Sequence, residues 1–147
     1  MIVELTVDID AKPADVWAVT LDVERWPEWT PSMLRVKRLD TGDFGLGCKA
    51  QVRQPRIPAS TWRVTAFEAG KSFTWETSAF GGRMAASHLV RANASGGTTV
   101  TLTVRARGPL SWLLDPMMTR ISRKLAGQEA AGLKRRCEEA ARAAVAG

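Results

Sequence analysis

A chain of 147 residues that is 45% apolar and 24% charged is long enough to bury a core and too balanced for a disordered or membrane-embedded class. Its formal net charge of +6 raises nucleic acid or acidic lipid as partners, but the cations are scattered, so no specific nucleic acid is expected. One cytoplasmic domain over 1–147 is expected, with neither secretion nor membrane insertion, because the sequence shows no basic-then-apolar leader and no span-length apolar run.

Val3, Leu5, Val7 and Ile9 alternate with Glu4, Thr6 and Asp8, the period of a strand with one buried face. Asp10 to Asp15 then offers a capping carboxylate and Pro13, which is tolerated in a first helical turn, and predicts a short helix through Val16, Trp17, Val19 and Thr20. Asp22 to Trp29, interrupted by Pro27, reads as a second small helix, and Pro31 forces an extended exit. From there to about Arg107, turn signals at Asp40-Thr41-Gly42, Pro55 to Pro58, Ala69-Gly70, Gly81-Gly82 and Ser95-Gly96-Gly97 separate six further strands.

Alternation assigns Cys48, Ala50, Val52, Trp62, Val64 and Ala66 to a dry face of the sheet. Phe73, Trp75, Met84, Ala86, His88 and Val90 join them, as do Val100, Leu102 and Val104. Lys49, Arg53, Arg63, Arg105 and a series of threonines take the other, solvated face. From about Ser111 to Val145 the pattern is helical, with Leu114, Met118, Ile121 and Leu125 on one stripe and most cations off it. A helix of about 35 residues is about 50 Å long, and the dry face of the sheet is the one place for its apolar side.

This order of elements resembles the helix-grip (SRPBCC) superfamily, which includes START lipid-binding domains, birch-pollen-allergen-like proteins and polyketide cyclase/dehydrase-like proteins. The residues that carry the resemblance are Ile9 to Trp17, Trp26-Pro27-Glu28-Trp29-Thr30-Pro31, and Gly97 to Leu102. It covers the whole chain and implies an α+β fold, a curved seven-stranded antiparallel sheet around a long C-terminal helix, with an internal cavity. It leaves the chemistry open, because those motifs look like scaffold and the superfamily holds carriers, receptors and cyclases.

Small or slender side chains on a concave face leave apolar volume, the usual form of a ligand site. The expected lining is Val52, Gln54, Trp62, Val64, Ala66 and Phe73, then Trp75, Thr77, Met84, Ala86 and His88, with Met117 and Ile121 from the helix. The competing expectation is that Trp62, Phe73, Trp75, Met84, Met117 and Met118 fill the gap as core. Meander topology brings Trp29 to Ser32, Pro55 to Ala59, Phe80 to Gly82 and Gly108 to Trp112 to one end, where Ile57, Phe80, Leu110 and Trp112 would border a mouth.

One histidine and two distant cysteines give no metal-ligand spacing, so Cys48 and Cys137 are expected as free thiols and no metal or cofactor is expected. Gly42, Gly45 and Gly47 precede no helix and read as a turn rather than a phosphate loop. Acyl transfer would need a nucleophile beside His88, and Cys48 lies strands away. Cyclase or dehydrase chemistry needs only a shaped apolar pocket and one or two polar groups, for which His88, Gln54, Thr77 and Arg38 are candidates. His88 is the candidate catalytic residue and the expected polar anchor, against the alternative of a satisfied core histidine. The expected function is binding, for transport, sensing or sequestration, of a small hydrophobic molecule such as a lipid, quinone or polyketide-like compound. The alternatives are a polyketide cyclase/dehydrase-type enzyme and a partner-binding module that uses the basic sheet face.

Overall fold

The computed structural model describes residues 1–79 and 81–146. The period-two segments form β1 (Ile2–Ile9), β2 (Arg35–Arg38), β3 (Lys49–Gln54), β4 (Ile57–Glu68), β5 (Ser72–Ala79), β6 (Gly82–Ala92) and β7 (Thr98–Arg107). They make one seven-stranded antiparallel sheet in the order β1-β7-β6-β5-β4-β3-β2. From β2 onward the chain meanders back until β7 pairs with β1. The crossing from edge to edge is made early, by α1 (Pro13–Leu21) and a 3₁₀ helix (Val23–Glu28), and α2 (Ser111–Ala146) lies against the inner face.

Pro13 opens α1 as expected, but no carboxylate caps it. Lys12 is the N-cap and makes no side-chain cap, while the Asp10 amide donates instead to Glu138 Oε2 on α2 (2.9 Å). The 3₁₀ helix delivers Trp26 to the centre of the core. That indole is 0% exposed, donates its N–H to the Thr20 carbonyl (3.1 Å), and lies 5.1 to 6.3 Å from the rings of Trp29, Phe73, Trp75 and His88.

Register bears out the dry face with one correction. Val64 pairs with Trp75, Trp75 with Ala86, and His88 with both Phe73 and Leu102. A β-bulge between Val64 and Ala66 inserts an extra residue into β4 and reverses the alternation beyond it. Ala66 therefore pairs with Thr74 and is exposed, and Phe67 takes the inward place, 5.8 Å from Trp17.

The buried stripe of α2 runs through Met118, Ser122, Ala126, Glu129, Leu133 and Cys137. Pro116 sits inside the helix, on its exposed side, a helix-interior proline that the reading of the stripe overlooks. Met117, one residue off the stripe, is turned about 100° away and is 53% exposed. Among the described residues no helix is long and apolar enough to cross a membrane.

The C-terminal half of α2 is clasped by polar contacts. A Cβ at Gly132 would overlap the Trp29 carbonyl, so the two backbones touch only because residue 132 has no side chain. The same carbonyl accepts from Arg135 Nη2 (3.0 Å), and Arg136 donates to Glu28 (2.9 Å). Lys134 bridges the Asp8 carbonyl (2.7 Å) and Glu138 (2.8 Å). The Lys134 ammonium and then the Asp10 amide hold the Glu138 carboxyl below the usual carboxylate range.

Two glycines of α2 give opposite expectations. Gly127 faces open space, so Gly127→Ala should stabilise by about 0.5–1 kcal/mol through helix propensity. Gly132→Ala gains the same propensity but drives a methyl into backbone, and should cost about 1–3 kcal/mol. Chemical denaturation of both variants checks the pair, and a stabilising Gly132→Ala would contradict the close approach.

Glu138 carries a pH signature. Its folded value is depressed, so its contribution is present above the ordinary carboxylate range and is lost as pH falls through the folded value. The stability gap between the parent and Glu138→Gln should be full at neutral pH and shrink steadily in acid below about pH 4, as read by melts over a pH series.

Candidate functional site

Sheet and helix enclose a cavity of about 70 Å³. β3 and β4 supply Val52, Gln54, Ile57, Ser60 and Trp62, while β5, β6 and β7 supply Trp75, Thr77, Met84, Ala86, His88 and Val104. α2 covers these with Met118, Ile121, Ser122, Leu125, Ala126 and Glu129, and Trp26 and Met33 complete the wall. Along β3, β5 and β6 these are alternate residues, because only the inward set faces α2, while in β4 a register irregularity against β3 separates Ile57 from Ser60 by three.

Of the residues expected to line a cavity, Val52, Gln54, Trp62, Trp75, Thr77, Met84, Ala86, His88 and Ile121 do line this one. Val64 and Phe73 are buried deeper in the aromatic core, where Phe73 stacks on the His88 ring (centroids 4.5 Å apart, planes at 16°). Ala66 and Met117 are turned outward by the bulge and by the helical period. At the expected mouth, Ile57 reaches the cavity wall, and Leu110 and Trp112 are exposed. Phe80 lies outside the described residues.

The cavity's chemistry centres on a contact between β6 and α2. His88 Nε2 lies 2.7 Å from Glu129 Oε1, with the two side chains 4% and 11% exposed. One proton lies between these atoms, and whichever partner carries it donates. The second ring nitrogen, Nδ1, is buried without a hydrogen-bond partner among the described residues, an incomplete satisfaction rare for a buried polar atom. His88 is therefore not held by backbone carbonyls away from the cavity; it is paired with a carboxylate in the cavity wall.

Several other polar groups of the wall are committed to nearby acceptors. Thr77 Oγ1 donates to the Thr61 carbonyl (2.7 Å), Gln54 Nε2 to the Ser32 carbonyl (3.3 Å), and Trp62 Nε1 to Ser60 Oγ (3.0 Å). Arg38, a candidate from alternation, lies elsewhere. It donates to the Gly42 carbonyl (2.7 Å) and Asp40 (3.0 Å), and its guanidinium carbon is 5.6 Å from the centre of the Phe44 ring.

Glu129 is the member of the pair that sequence reading missed, and Trp26, Met33, Ser60, Ser122 and Ala126 also line the cavity without belonging to the expected lining. Glu129 stands four residues after Leu125 and four before Leu133, so a carboxylate on the apolar stripe was the available signal. Cys48 and Cys137 are free thiols. Burial, first, pushes the Cys137 thiol up to about 11, which suits a packed hydrophobe rather than a nucleophile. Cys48 is held in the turn before β3, where its sulfur accepts from the Gly45 amide (3.4 Å). Among the described residues no group of three or more His, Cys, Asp or Glu side chains could hold a metal ion.

A curved antiparallel sheet wrapped around one long C-terminal helix, with a cavity between them, defines a helix-grip protein. The chain belongs to the family described as polyketide cyclase / dehydrase and lipid transport, whose model matches residues 1–138. Similar solved structures include the Zhui aromatase/cyclase from Streptomyces sp. R1128, at 19% identity and TM-score 0.81, covering 98% of this chain and 97% of that one. A START superfamily protein from Mycobacterium smegmatis aligns at 14% identity and TM-score 0.76, covering 94% and 97%. Norcoclaurine synthase from Thalictrum flavum aligns at 11% and 0.73, covering 95% and 94%. At these identities the likeness is one of fold. No curated protein matches the chain in sequence.

The buried pair predicts an unusual order of stabilities. Removing one partner strands a buried polar group, so His88→Phe and Glu129→Leu should each cost roughly 3 kcal/mol. The double variant replaces both with apolar side chains and should recover most of that loss. Denaturant melts of the four proteins test this, and additive losses would show that the two side chains are not coupled.

Proposed function

We propose that the protein binds a small hydrophobic molecule in this cavity and holds a polar group of that molecule against the His88–Glu129 pair. The observation that supports the reading is a buried imidazole–carboxylate pair set in an otherwise mostly apolar wall between helix and sheet. Such a pair costs stability relative to apolar packing, and ligand sites commonly combine an apolar lining with a few placed polar groups. A ligand hydroxyl, enol or carbonyl is the natural complement of this pair.

Size restricts the mode of entry. A water needs about 10–15 Å³ measured this way, so about 70 Å³ holds a few water-sized groups and not an extended lipid chain. A larger ligand enters by displacing Met33, Met84 and Met118, whose unbranched side chains repack readily. Most polar clasps of α2 lie in its C-terminal half, and among the described residues the Met1 amine–Asp115 pair is the one ion pair of the N-terminal half, so that half, which carries Met118 and Ile121, is the part that yields.

A second reading is favoured by the 2.7 Å contact of His88 with Glu129 and by the description of the family. In it the pair moves a proton during a cyclisation or dehydration. The base takes a proton from a carbon next to a carbonyl, and the conjugate acid returns it to the departing hydroxyl, which leaves as water.

Mass spectrometry of small molecules extracted from natively purified protein tests for a ligand, and displacement of an apolar fluorescent dye measures affinity. Ala86→Leu fills the cavity and should weaken dye binding at least about tenfold, a difference of about 1.4 kcal/mol, while Ala66→Leu on the outer face should leave it unchanged. His88→Phe should weaken oxygenated ligands by about tenfold and spare plain hydrocarbons, the loss of about one hydrogen bond. Under the second reading His88→Phe keeps binding and loses turnover. Equal effects of Ala86→Leu and Ala66→Leu on dye binding would remove the cavity from consideration.

A further inference from the structure

The first turns of α2 carry their largest apolar side chains on the outside. Trp112, Leu113 and Met117 are 73%, 59% and 53% exposed, and Leu110 just before the helix is 53% exposed. At about 100° per residue, Trp112, Leu113 and Met117 occupy an arc of the helix outside that of the cavity-lining Met118, Ile121 and Leu125. Arg120, Arg123 and Lys124 continue that outer face over the next turns. All three are exposed, and none is in an ion pair among the described residues.

Acidic groups are nearly absent here. Asp115 is the sole acid between Gly108 and Lys124, and it is paired with the N-terminal amine (3.3 Å). The first turn of α2 holds no acidic residue, so the positive end of the helix dipole adds to the side-chain charge. The surface is thus an apolar tip with cations one to three turns behind it.

Two occupants could cover the apolar tip, and charge decides between them. A second copy pressed face to face would bring a second set of the same cations to the contact, a repulsion that Asp115, the one acid of the segment and already paired, does not relieve. An anionic bilayer satisfies both halves, with aromatic and aliphatic side chains at the headgroup boundary and cations on lipid phosphates. We propose that this face docks the protein peripherally on an anionic lipid bilayer through Trp112, Leu113 and Met117, with Arg120, Arg123 and Lys124 held at the phosphates and no segment crossing. The proposal stands on surface residues alone and does not depend on what the cavity binds.

Co-sedimentation with vesicles of equal parts phosphatidylcholine and phosphatidylglycerol, and with vesicles of phosphatidylcholine alone, tests it. Binding is expected to the mixed vesicles, falling steeply with added salt, and not to the neutral ones. Changing Arg120, Arg123 and Lys124 together to Gln should weaken partitioning by about a hundredfold, at about fivefold per cation. Trp112→Ser with Leu113→Ser should abolish it, with melting temperature and dye binding in vesicle-free solution unchanged in both variants. Absence of binding to the mixed vesicles, equal binding to both kinds, or binding that survives either set of changes would overturn the proposal. So would a concentration-dependent dimer that the Trp112→Ser, Leu113→Ser variant disrupts, because the face would then meet a second copy. Loss of dye binding in the parent protein would count against the cavity and leave this test standing.

Discussion

Helix α2 meets the turn at Trp29 backbone against backbone, and it can do so because residue 132 is glycine. That approach sets the height of the helix over the sheet and its rotation about its own axis. Glu129 lies nearly one turn before the contact, and the same rotation carries its carboxylate to His88 on β6. Further toward the N-terminus the clasping contacts give way to Met118, Ile121 and Leu125, and there the space between helix and sheet widens into the cavity. The Trp29 carbonyl, with Arg135 donating to it, is thus the pivot for the anchored half of the helix and the covering half.

The buried pair follows a different logic from the surrounding packing. Trp26, Phe73 and Trp75 form an aromatic cluster whose burial favours folding wherever it occurs. His88 stacks within that cluster, yet it turns one nitrogen to a carboxylate and leaves the other without a partner among the described residues. Apolar residues of similar size would pack there without the desolvation cost. A group that apolar packing could replace, placed in the wall of a cavity, is the local inconsistency on which the proposed binding site rests.

The positive charge of the chain divides by location. Lys49, Arg53, Arg63 and Arg105 dot the outer sheet face among threonines, a solvated surface with Glu76 paired against Arg63 in register. Arg135, Arg136 and Lys134 are used internally to clasp α2. A third group, Arg120, Arg123 and Lys124, lies on the outer face of α2 beside the large apolar side chains of its first turns. The same net charge therefore serves solubility, packing and a surface of mixed character, which a total of +6 cannot distinguish.

Local period determined most of the architecture from sequence. Alternation in β1, β3, β6 and β7, turn glycines and prolines between them, and a long stripe at helical spacing specify a one-sided sheet and one helix that must cover it, because only one arrangement buries both apolar surfaces. The same alternation placed Val52, Trp75, Ala86 and His88 on the concave side. It failed where one extra residue changes the phase: the bulge after Val64 turned Ala66 outward and Phe67 inward, and no local pattern announces a bulge that a neighbouring strand accommodates. It failed again at Met117, where adjacent methionines on a helix face different directions and the rotation of α2 chooses between them. The pairing of His88 with Glu129, 41 residues later, and the contact of Gly132 with Trp29 were decided by tertiary structure alone, because each joins residues whose positions depend on how closely one element can lie upon another.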